Sequence, residues 1–178
     1  MHDRDLIACA QQGDRQAFAE LIMRHQNSIV SMLYHMCGDM HLAEDAAQEA
    51  FVRVWQNLQR YQAQHAFRSW LYRIAANAAL DSLRRERPAL DLDDLPLSDP
   101  GASPEQAAEA NQRAQQVRQA IAHLSPPLRL VLVLREYQEL AYQEIAETLD
   151  IPLGTVMSRL NSARSQLRQE LRSLPEEA

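Results

Sequence analysis

The sequence predicts an all-α protein of two small helical domains joined by an acidic, flexible linker. Only 4 of its 178 residues are glycine, and alanine, leucine, glutamine, glutamate and arginine dominate, a composition typical of helices. Apolar residues recur at helical spacing within segments that end at glycine or proline. The predicted boundaries are 1–88 for the first domain, 89–103 for the linker and 104–178 for the second domain, which contains a helix-turn-helix.

Four helices are predicted in the first domain, over approximately residues 3–12, 15–37, 40–58 and 67–87. Asp14 is placed to cap the second helix, because a short acidic side chain accepts hydrogen bonds from unpaired N–H groups at a helix start. Gly38 ends that helix, since glycine adopts the left-handed conformation of a C-cap. Pro88 ends the fourth helix, because proline cannot extend the hydrogen-bond ladder.

The second domain is predicted to contain four helices, beginning with two over approximately residues 104–123 and 126–137. Ser103 and Ser125 each precede proline, the order of an N-cap followed by a first-turn proline. Two further helices within 142–168 are joined by a tight turn. Their predicted small core consists of Ile145, Leu149, Ile151, Val156 and Leu160.

The linker prediction for 89–103 depends on composition. This segment contains four aspartates together with Pro96, Pro100 and Gly101, and residues 88–110 carry a net charge of −6 with no basic residue. Such a segment cannot bury enough apolar surface to order itself.

The overall net charge of −6 hides large differences along the chain. Residues 1–52 carry −5, residues 53–87 carry +5 and residues 111–178 are neutral. All 18 basic residues are arginine, a cation suited to phosphate and base-edge contacts, although codon bias explains that choice equally well. The acidic total therefore does not exclude a nucleic-acid-binding protein.

The cysteines and the apolar segments predict a reducing, cytoplasmic location without membrane insertion. Cys9 and Cys37 are too few for a disulfide scaffold, and both are expected to be buried thiols. No apolar run approaches the roughly 20 residues that a membrane span requires. The N-terminus lacks the order of a secretion signal.

The outward face of the last predicted helix offers groups that suit a DNA major groove. Residues 155–172 carry a net charge of +3. Arginines suit phosphates, and side chains near the helix N-terminus suit base edges. An ordinary helical hairpin with a solvated basic face is the alternative interpretation. The candidate DNA-binding residues of this helix are Thr155, Met157, Ser158, Arg159, Asn161, Ser162, Arg164 and Arg168.

Three motifs resemble those of the extracytoplasmic-function sigma factors of bacterial RNA polymerase. Residues 149–164, LDIPLGTVMSRLNSAR, resemble the helix-turn-helix with which that family reads promoters. Residues 43–55, AEDAAQEAFVRVW, resemble its polymerase-binding helix. Residues 67–81, FRSWLYRIAANAALD, resemble the helix that accompanies promoter opening.

The resemblance implies an alternative sigma factor that binds core RNA polymerase and directs initiation at specific promoters. It implies promoter DNA and an anti-sigma factor as further partners, with no catalytic residue, metal or cofactor. Asp45, Gln48 and Glu49 share one helix face, which suits a basic partner surface. The implied polymerase-binding residues are Asp45, Gln48, Glu49, Phe51 and Trp55.

The resemblance also implies that the loop at about 59–66 captures a flipped base of the minus-ten element. Aromatic stacking and polar contacts can offset the few kcal/mol that unstacking costs. Trp70 is expected to be a core residue rather than a stacking platform, because its flanks keep apolar spacing. The implied single-strand-binding residues are Tyr61, Gln62, Gln64, His65, Arg68, Arg73, Asn77, Arg84 and Arg85.

Two segments refine this comparison. Where relatives commonly place a basic residue after Gly-Thr-Val, this chain has Met157. Affinity for the minus-thirty-five element is therefore expected to depend more on Arg159, Arg164 and Arg168. The aspartates of the linker resemble the family's segment that runs through the polymerase interior, where negative charge imitates nucleic acid.

Two other classes of DNA- or protein-binding module share part of these features. The output domain of a response regulator shares the helix-turn-helix landmarks, but it leaves residues 1–87 unexplained. A helical adaptor that binds only protein is the second alternative.

Enzymatic alternatives find less support in the sequence. A zinc site lacks recognised spacing and a fourth ligand, and a hard-cation site lacks a glycine turn and a terminal carboxylate. No nucleophile is paired with a base. The candidate residues for these sites are His35, Cys37 and His41 for zinc, and Asp91, Asp93 and Asp94 for a hard cation.

Overall fold

The computed structural model describes residues 2–62, 66–85 and 104–173, and it does not describe the side chains of 104–110 and 173. The described ranges contain helices and their connections but no strand, which confirms the predicted all-α fold. The whole predicted linker 89–103 lies outside them, as does Pro88, the predicted end of the fourth helix. The helices are α1 Asp3–Gln11, α2 Arg15–Cys37, α3 Met40–Asn57, a 3-10 turn Leu58–Arg60, α4 Phe67–Arg85, α5 Pro104–His123, α6 Pro126–Glu136, α7 Tyr142–Leu149 and α8 Leu153–Ser173.

The predicted ends of α2 are confirmed. The Asp14 carboxylate accepts hydrogen bonds from the backbone N–H groups of Gln16 and Ala17, at 2.8 and 3.1 Å. Gly38 adopts φ 78° and donates its N–H to Tyr34 O. Asp39 then caps α3 by accepting from Leu42 N at 2.7 Å.

Helices α1 to α4 pack around α2. Leu21, Met32 and Leu33 of α2 are fully buried. Small residues such as Ala50 of α3 and Ala75 of α4 are fully buried too, and they allow the backbones of these helices to approach closely. Helix α3, with the acidic surface that the sequence predicts, is thus held rigidly against α2 and α4.

The predicted core of the helix-turn-helix is also present. Ile145, Val156 and Leu160 are buried, and Leu149 and Ile151 are half-buried against them. The turn between α7 and α8 contains Asp150 in the left-handed conformation, with φ 54°, which aspartate tolerates better than most residues. Helix α8 continues to Ser173, beyond the predicted end near 168.

The two cysteines differ in burial. Cys37 is fully buried, as predicted, whereas Cys9 is half-buried beside the core. Neither of them forms a disulfide bond. The prediction of a buried thiol is therefore correct for Cys37 and wrong for Cys9.

The two helical domains pack against each other, which the sequence did not predict. Helices α2 and α4 contact α6 and α7, and buried residues of both halves share one apolar core, while Ile121, Leu124, Leu132 and Ala163 form a separate cluster in the second half. Inside this interdomain contact the Tyr72 hydroxyl donates to Gln138 Oε1 at 2.7 Å. Both side chains are almost inaccessible to solvent, so each satisfies the polar group of the other.

Arg129 of α6 crosses the interdomain contact as a buried cation. Its Nη1 donates to Met36 O near the end of α2 at 2.5 Å, and its Nη2 donates to Ala122 O and Leu124 O. Burial lowers the pKa of Arg129 from its usual value, yet a guanidinium stays protonated at neutral pH. Carbonyls at a helix C-terminus carry partial negative charge, so Met36 O is a suitable acceptor for this cation.

His35 and Tyr137 extend the same contact, with ring centroids 3.6 Å apart. His35 Nδ1 donates to Ser31 O at 2.7 Å. Burial lowers the pKa of His35 and raises the pKa of Tyr137, because a low-dielectric environment disfavours the charged form of each. Both rings are therefore neutral at physiological pH and pack as apolar surface.

We predict that Arg129→Ala destabilises the chain by about 2–3 kcal/mol, because it leaves buried carbonyls without a donor. For a chain of this size that loss lowers Tm by roughly 5–10 °C. Thermal unfolding followed by circular dichroism measures the change. Arg172→Ala, at the exposed end of α8, is the matched control and should melt as wild type does. Equal melting of both variants would contradict the structural role of Arg129.

Candidate polymerase and nucleic-acid interfaces

An acidic patch on α3 consists of Asp45, Gln48 and Glu49. Asp45 and Gln48 are exposed, whereas Glu49 is half-buried and accepts hydrogen bonds from Arg53 and Arg85. Burial by itself would raise the pKa of Glu49, but these two guanidinium groups outweigh it and hold the pKa below its usual value. The patch thus keeps an exposed carboxylate at Asp45, while Glu49 also ties α3 to α4.

The aromatic residues predicted to accompany the patch are both partly accessible. Trp55 is 38% exposed, and its ring lies 4.7 Å from the ring of Phe18. Phe51 is half-buried and lines a groove of about 1020 Å³ between α2, α3 and α5. Gln48 lines the same groove, so the acidic patch borders an accessible apolar surface.

The predicted minus-ten surface contains an aromatic cluster at the start of α4. The ring of Tyr61 lies 4.9 Å from that of Trp70 and 5.6 Å from that of Phe67. Burial raises the pKa of Tyr61, against a smaller opposite effect of Arg4. Trp70 is half-buried, so one part of its ring packs on the core, as expected, and another part stays accessible.

A pocket of about 240 Å³ opens beside this cluster. Its lining includes Tyr61 and Gln62, which the sequence placed near a captured base, and also Trp70, which the sequence placed in the core. Gln64 and His65, predicted for the same site, lie outside the described residues. An unstacked base is flat and has polar edges, so a pocket with an aromatic wall and an amide suits it chemically.

A neighbouring pocket of about 250 Å³ contains Asn77, which the sequence assigned to the minus-ten surface. Arg60 lines both pockets, although the sequence reasoning missed it. The available signal was its place next to Tyr61 within the basic segment 53–87. Arg60 therefore joins the candidate single-strand-binding residues.

The arginines predicted to hold single-stranded phosphates already have protein partners. Arg68 Nη2 donates to Gln138 O at 2.7 Å, and Arg73 Nη2 donates to Asp150 Oδ2 at 2.9 Å. Arg85 pairs with Glu49, while Arg84 lies 3.6 Å from a carboxylate oxygen of Asp81. The partners of Arg68 and Arg73 belong to the second domain. No pattern in the sequence predicts these pairings.

Helix α8 presents most of its predicted residues outward. Met157 is 54% exposed. Thr155 and Arg159 are half-buried at the edge of the outward face. The residues that the structure exposes on this face are Met157, Ser158, Asn161, Ser162, Arg164 and Arg168.

Two of these outward residues form hydrogen bonds within the protein that compete with contacts to DNA. Ser158 donates its hydroxyl to Thr155 O at 3.0 Å, a bond within the helix. Arg164 donates to Glu136 at 2.7 Å and to the Tyr142 hydroxyl at 3.2 Å, and these bonds raise its pKa. Arg164 is thus held against the domain and carries less uncompensated charge than Arg168.

Two further properties bear on the class of the protein. Within the described ranges, none of the helices combines the length and the apolar character needed to cross a bilayer. The same ranges hold no cluster of three His, Cys, Asp or Glu side chains that could bind a metal ion. The aspartates of the candidate cation site, Asp91, Asp93 and Asp94, lie outside these ranges.

Comparison with known protein families matches both halves of the chain. Sigma-70 region 2 matches residues 21–89, and Sigma-70 region 4 matches residues 114–167. Among solved structures, CnrH in complex with the cytosolic domain of CnrY superposes with a TM-score of 0.75 and 25% identity, covering 97% of this chain and 99% of that one. The sigma factor RpoE from Bartonella quintana, solved in complex with the anti-sigma factor NepR, superposes with a TM-score of 0.68 and 17% identity. The match covers 89% of this chain and 98% of that one.

Three relatives resemble the chain over nearly its full length. The ECF RNA polymerase sigma factor SigW of Bacillus subtilis is 35% identical, and the match covers 94% of this chain and 96% of that protein. The RNA polymerase sigma-H factor of Pseudomonas aeruginosa is 36% identical, and the match covers 99% of this chain and 97% of that protein. The ECF RNA polymerase sigma-E factor of Escherichia coli K12 is 34% identical, and the match covers 97% of this chain and 95% of that protein. The two matched regions and these full-length relatives show that the chain belongs to the extracytoplasmic-function sigma factors of RNA polymerase, and it is therefore a factor that directs transcription initiation.

Proposed function

We propose that this sigma factor works through three surfaces and without a catalytic centre of its own, in the cytoplasm. The acidic patch and its aromatic neighbours bind core polymerase, the pockets around Tyr61 and Trp70 bind single-stranded minus-ten DNA, and α8 reads the minus-thirty-five duplex. Residues 1–88 and 104–178 form the two functional domains, and 89–103 links them. The observation that supports this division most directly is α8, because its inner face is buried in the helix-turn-helix while Met157 and its outward neighbours remain exposed.

The polymerase-binding assignment rests on charge and on shape. The exposed carboxylate of Asp45 suits a basic partner helix and speeds the encounter with it. The groove lined by Gln48 and Phe51 borders the patch and can receive apolar side chains of the same partner. Trp55, partly exposed on the same helix, completes this surface.

The minus-ten assignment rests on the aromatic cluster and on the basic charge around it. Tyr61, Gln62 and Trp70 line the pocket, and Gln64 and His65 follow Gln62 closely in the sequence. Asn77 and Arg60 line the neighbouring pocket. Phosphates of the single strand are bound by the arginines of α4, which are Arg68, Arg73, Arg84 and Arg85.

An anti-sigma factor is proposed as a regulatory partner. The Bartonella quintana sigma factor was solved with the anti-sigma factor NepR. By analogy, a protein that covers the acidic patch or α8 of this chain would block binding to polymerase or to promoter DNA.

Run-off transcription tests the proposal as a whole. Core polymerase from a bacterium is incubated with the purified chain and a set of genomic fragments. Transcripts that depend on the chain are expected, together with co-elution of the chain and core polymerase in gel filtration. Failure of the chain to associate with core polymerase, or the absence of any dependent transcript, would overturn it.

We predict that Asp45→Asn weakens the affinity for core polymerase about three- to tenfold, mainly through a slower association rate. The reason is that Asp45 is an exposed carboxylate facing the basic partner. Surface plasmon resonance on immobilised core polymerase measures both rates. Glu139→Asn removes the same charge from an exposed loop of the second domain and serves as the control. Equal rates for the two variants would place Asp45 outside the interface.

We predict that Met157→Arg tightens binding to promoter duplex and steepens its salt dependence by about one unit of slope, because one more phosphate contact releases one more counterion. Fluorescence titration at several salt concentrations measures the slope. Gln169→Arg adds the same charge to an exposed position near the end of α8. If Met157→Arg changes binding no more than this control does, Met157 does not face DNA.

A further inference from the structure

The outward face of α8 divides into an uncharged half and a basic half. Between Leu153 and Ser162, the exposed side chains of this helix carry no charge. The exposed arginines Arg164, Arg168 and Arg172 follow in the second half. Arginine suits phosphates, whereas the N-terminal half of a recognition helix suits base edges. The residues that are placed to read bases are therefore the uncharged ones.

Two of these uncharged residues are large and apolar. Leu153 is 42% exposed and Met157 is 54% exposed. Their spacing of four residues puts them on adjacent turns of one helix edge. A single exposed apolar side chain is common on a protein surface. A pair of them in the N-terminal half of a recognition helix also offers an apolar surface to the base edges of a major groove.

Asn161 continues this edge by one further turn. Its side chain is exposed, and among the residues that the structure describes no partner forms a hydrogen bond with it. Its donor and its acceptor are both available for adenine, which offers the N7 acceptor and the N6 amino donor in the major groove. Ser158 differs, because its hydroxyl already donates to Thr155 O.

The apolar side chain of Met157 suits a different base. Thymine carries a methyl group in the major groove, and an apolar side chain that covers this group removes both surfaces from water. Guanine is matched by arginine or lysine, and neither residue type is exposed between Leu153 and Ser162. Four residues of helix rise about 6 Å, which corresponds to about two base pairs at about 3.4 Å each.

We propose that α8 reads A·T base pairs of the minus-thirty-five element, with Asn161 bonded to an adenine and Met157 covering the C5-methyl group of a thymine within about two base pairs of it. Leu153 extends the apolar surface that Met157 presents. This inference rests on the proposed function of α8 as the helix that reads duplex DNA, and it assigns the bases that this helix prefers. Arg168 adds affinity through phosphates without selecting a sequence.

Changes of single groups in the DNA test each contact separately. The duplex carries the minus-thirty-five element of a promoter identified by run-off transcription, and it ends before the minus-ten element so that strand opening contributes nothing. Uracil in place of thymine removes only the methyl group, and 7-deazaadenine in place of adenine removes the N7 acceptor. The affinity of the full chain, assembled with core polymerase, is measured for each substituted duplex by fluorescence titration at one fixed salt concentration.

Wild type is expected to bind about fourfold more weakly when uracil replaces the contacted thymine, the effect of one methyl-sized group that is no longer buried. It should bind roughly fivefold more weakly when 7-deazaadenine replaces the contacted adenine. Met157→Ala should lose the uracil effect and keep the 7-deazaadenine effect, whereas Asn161→Ala should do the reverse. Met157→Leu should keep the uracil effect, because leucine is apolar and similar in volume.

Two further variants separate base reading from charge and from general effects on the helix. Met157→Arg is expected to lose the uracil effect, even though the added charge tightens binding overall. Gln169→Ala is the matched control, because Gln169 is exposed on the same helix beyond its uncharged half. Both base effects should persist in this control at their wild-type size.

Equal uracil sensitivity of wild type and Met157→Ala would overturn the thymine contact, and equal 7-deazaadenine sensitivity of wild type and Asn161→Ala would overturn the adenine contact. If the chain directs transcripts from the promoter but no substitution in the duplex changes its affinity, the inference alone is wrong. If no template yields a transcript that depends on the chain, the proposed function is wrong and the inference fails with it.

Discussion

The structure depends on a small set of polar groups buried where the two domains meet. Arg129 reaches the carbonyl of Met36, and the Tyr72 hydroxyl reaches Gln138, inside an otherwise apolar core. Apolar surfaces pack in many registers, whereas buried donors and acceptors tolerate few, because each unpaired group costs free energy. These bonds therefore select one orientation of the second domain on the first. They also set where α7 lies relative to the pocket beside Tyr61 and Trp70.

The same helix α4 serves both the packing and the proposed DNA contacts. Its inner face buries Tyr72 and Ala75, while its outer edge carries Arg68 and Arg73. An arginine at such an edge can exchange a protein acceptor for a phosphate at little net cost, since both are charge-assisted hydrogen bonds. Arg129 differs, because its acceptors are backbone carbonyls in a buried site, and it acts on stability rather than on DNA.

The sequence predicted the features that local chemistry determines. Asp14 and Gly38 mark helix ends by properties of single residues, and Val156 and Leu160 follow from helical spacing within one short segment. The interdomain contact joins residues 66 and 77 positions apart, Tyr72 with Gln138 and Arg73 with Asp150. No local pattern distinguishes such a tyrosine from a core residue, or such an aspartate from a solvated turn. Arg68 and Arg73 were accordingly predicted as phosphate ligands without their present partners.

The two candidate DNA-binding surfaces differ in what they require. Duplex binding by α8 needs only an exposed helix face and charge, and α8 provides both. Promoter opening instead requires a pocket that offsets the few kcal/mol of unstacking a base. Glu147 and Thr148 of α7 line the same pocket as Tyr61 and Trp70, whereas the outward face of α8 is exposed. Packing of the two domains therefore affects the candidate minus-ten pocket, while the outward face of α8 does not depend on it.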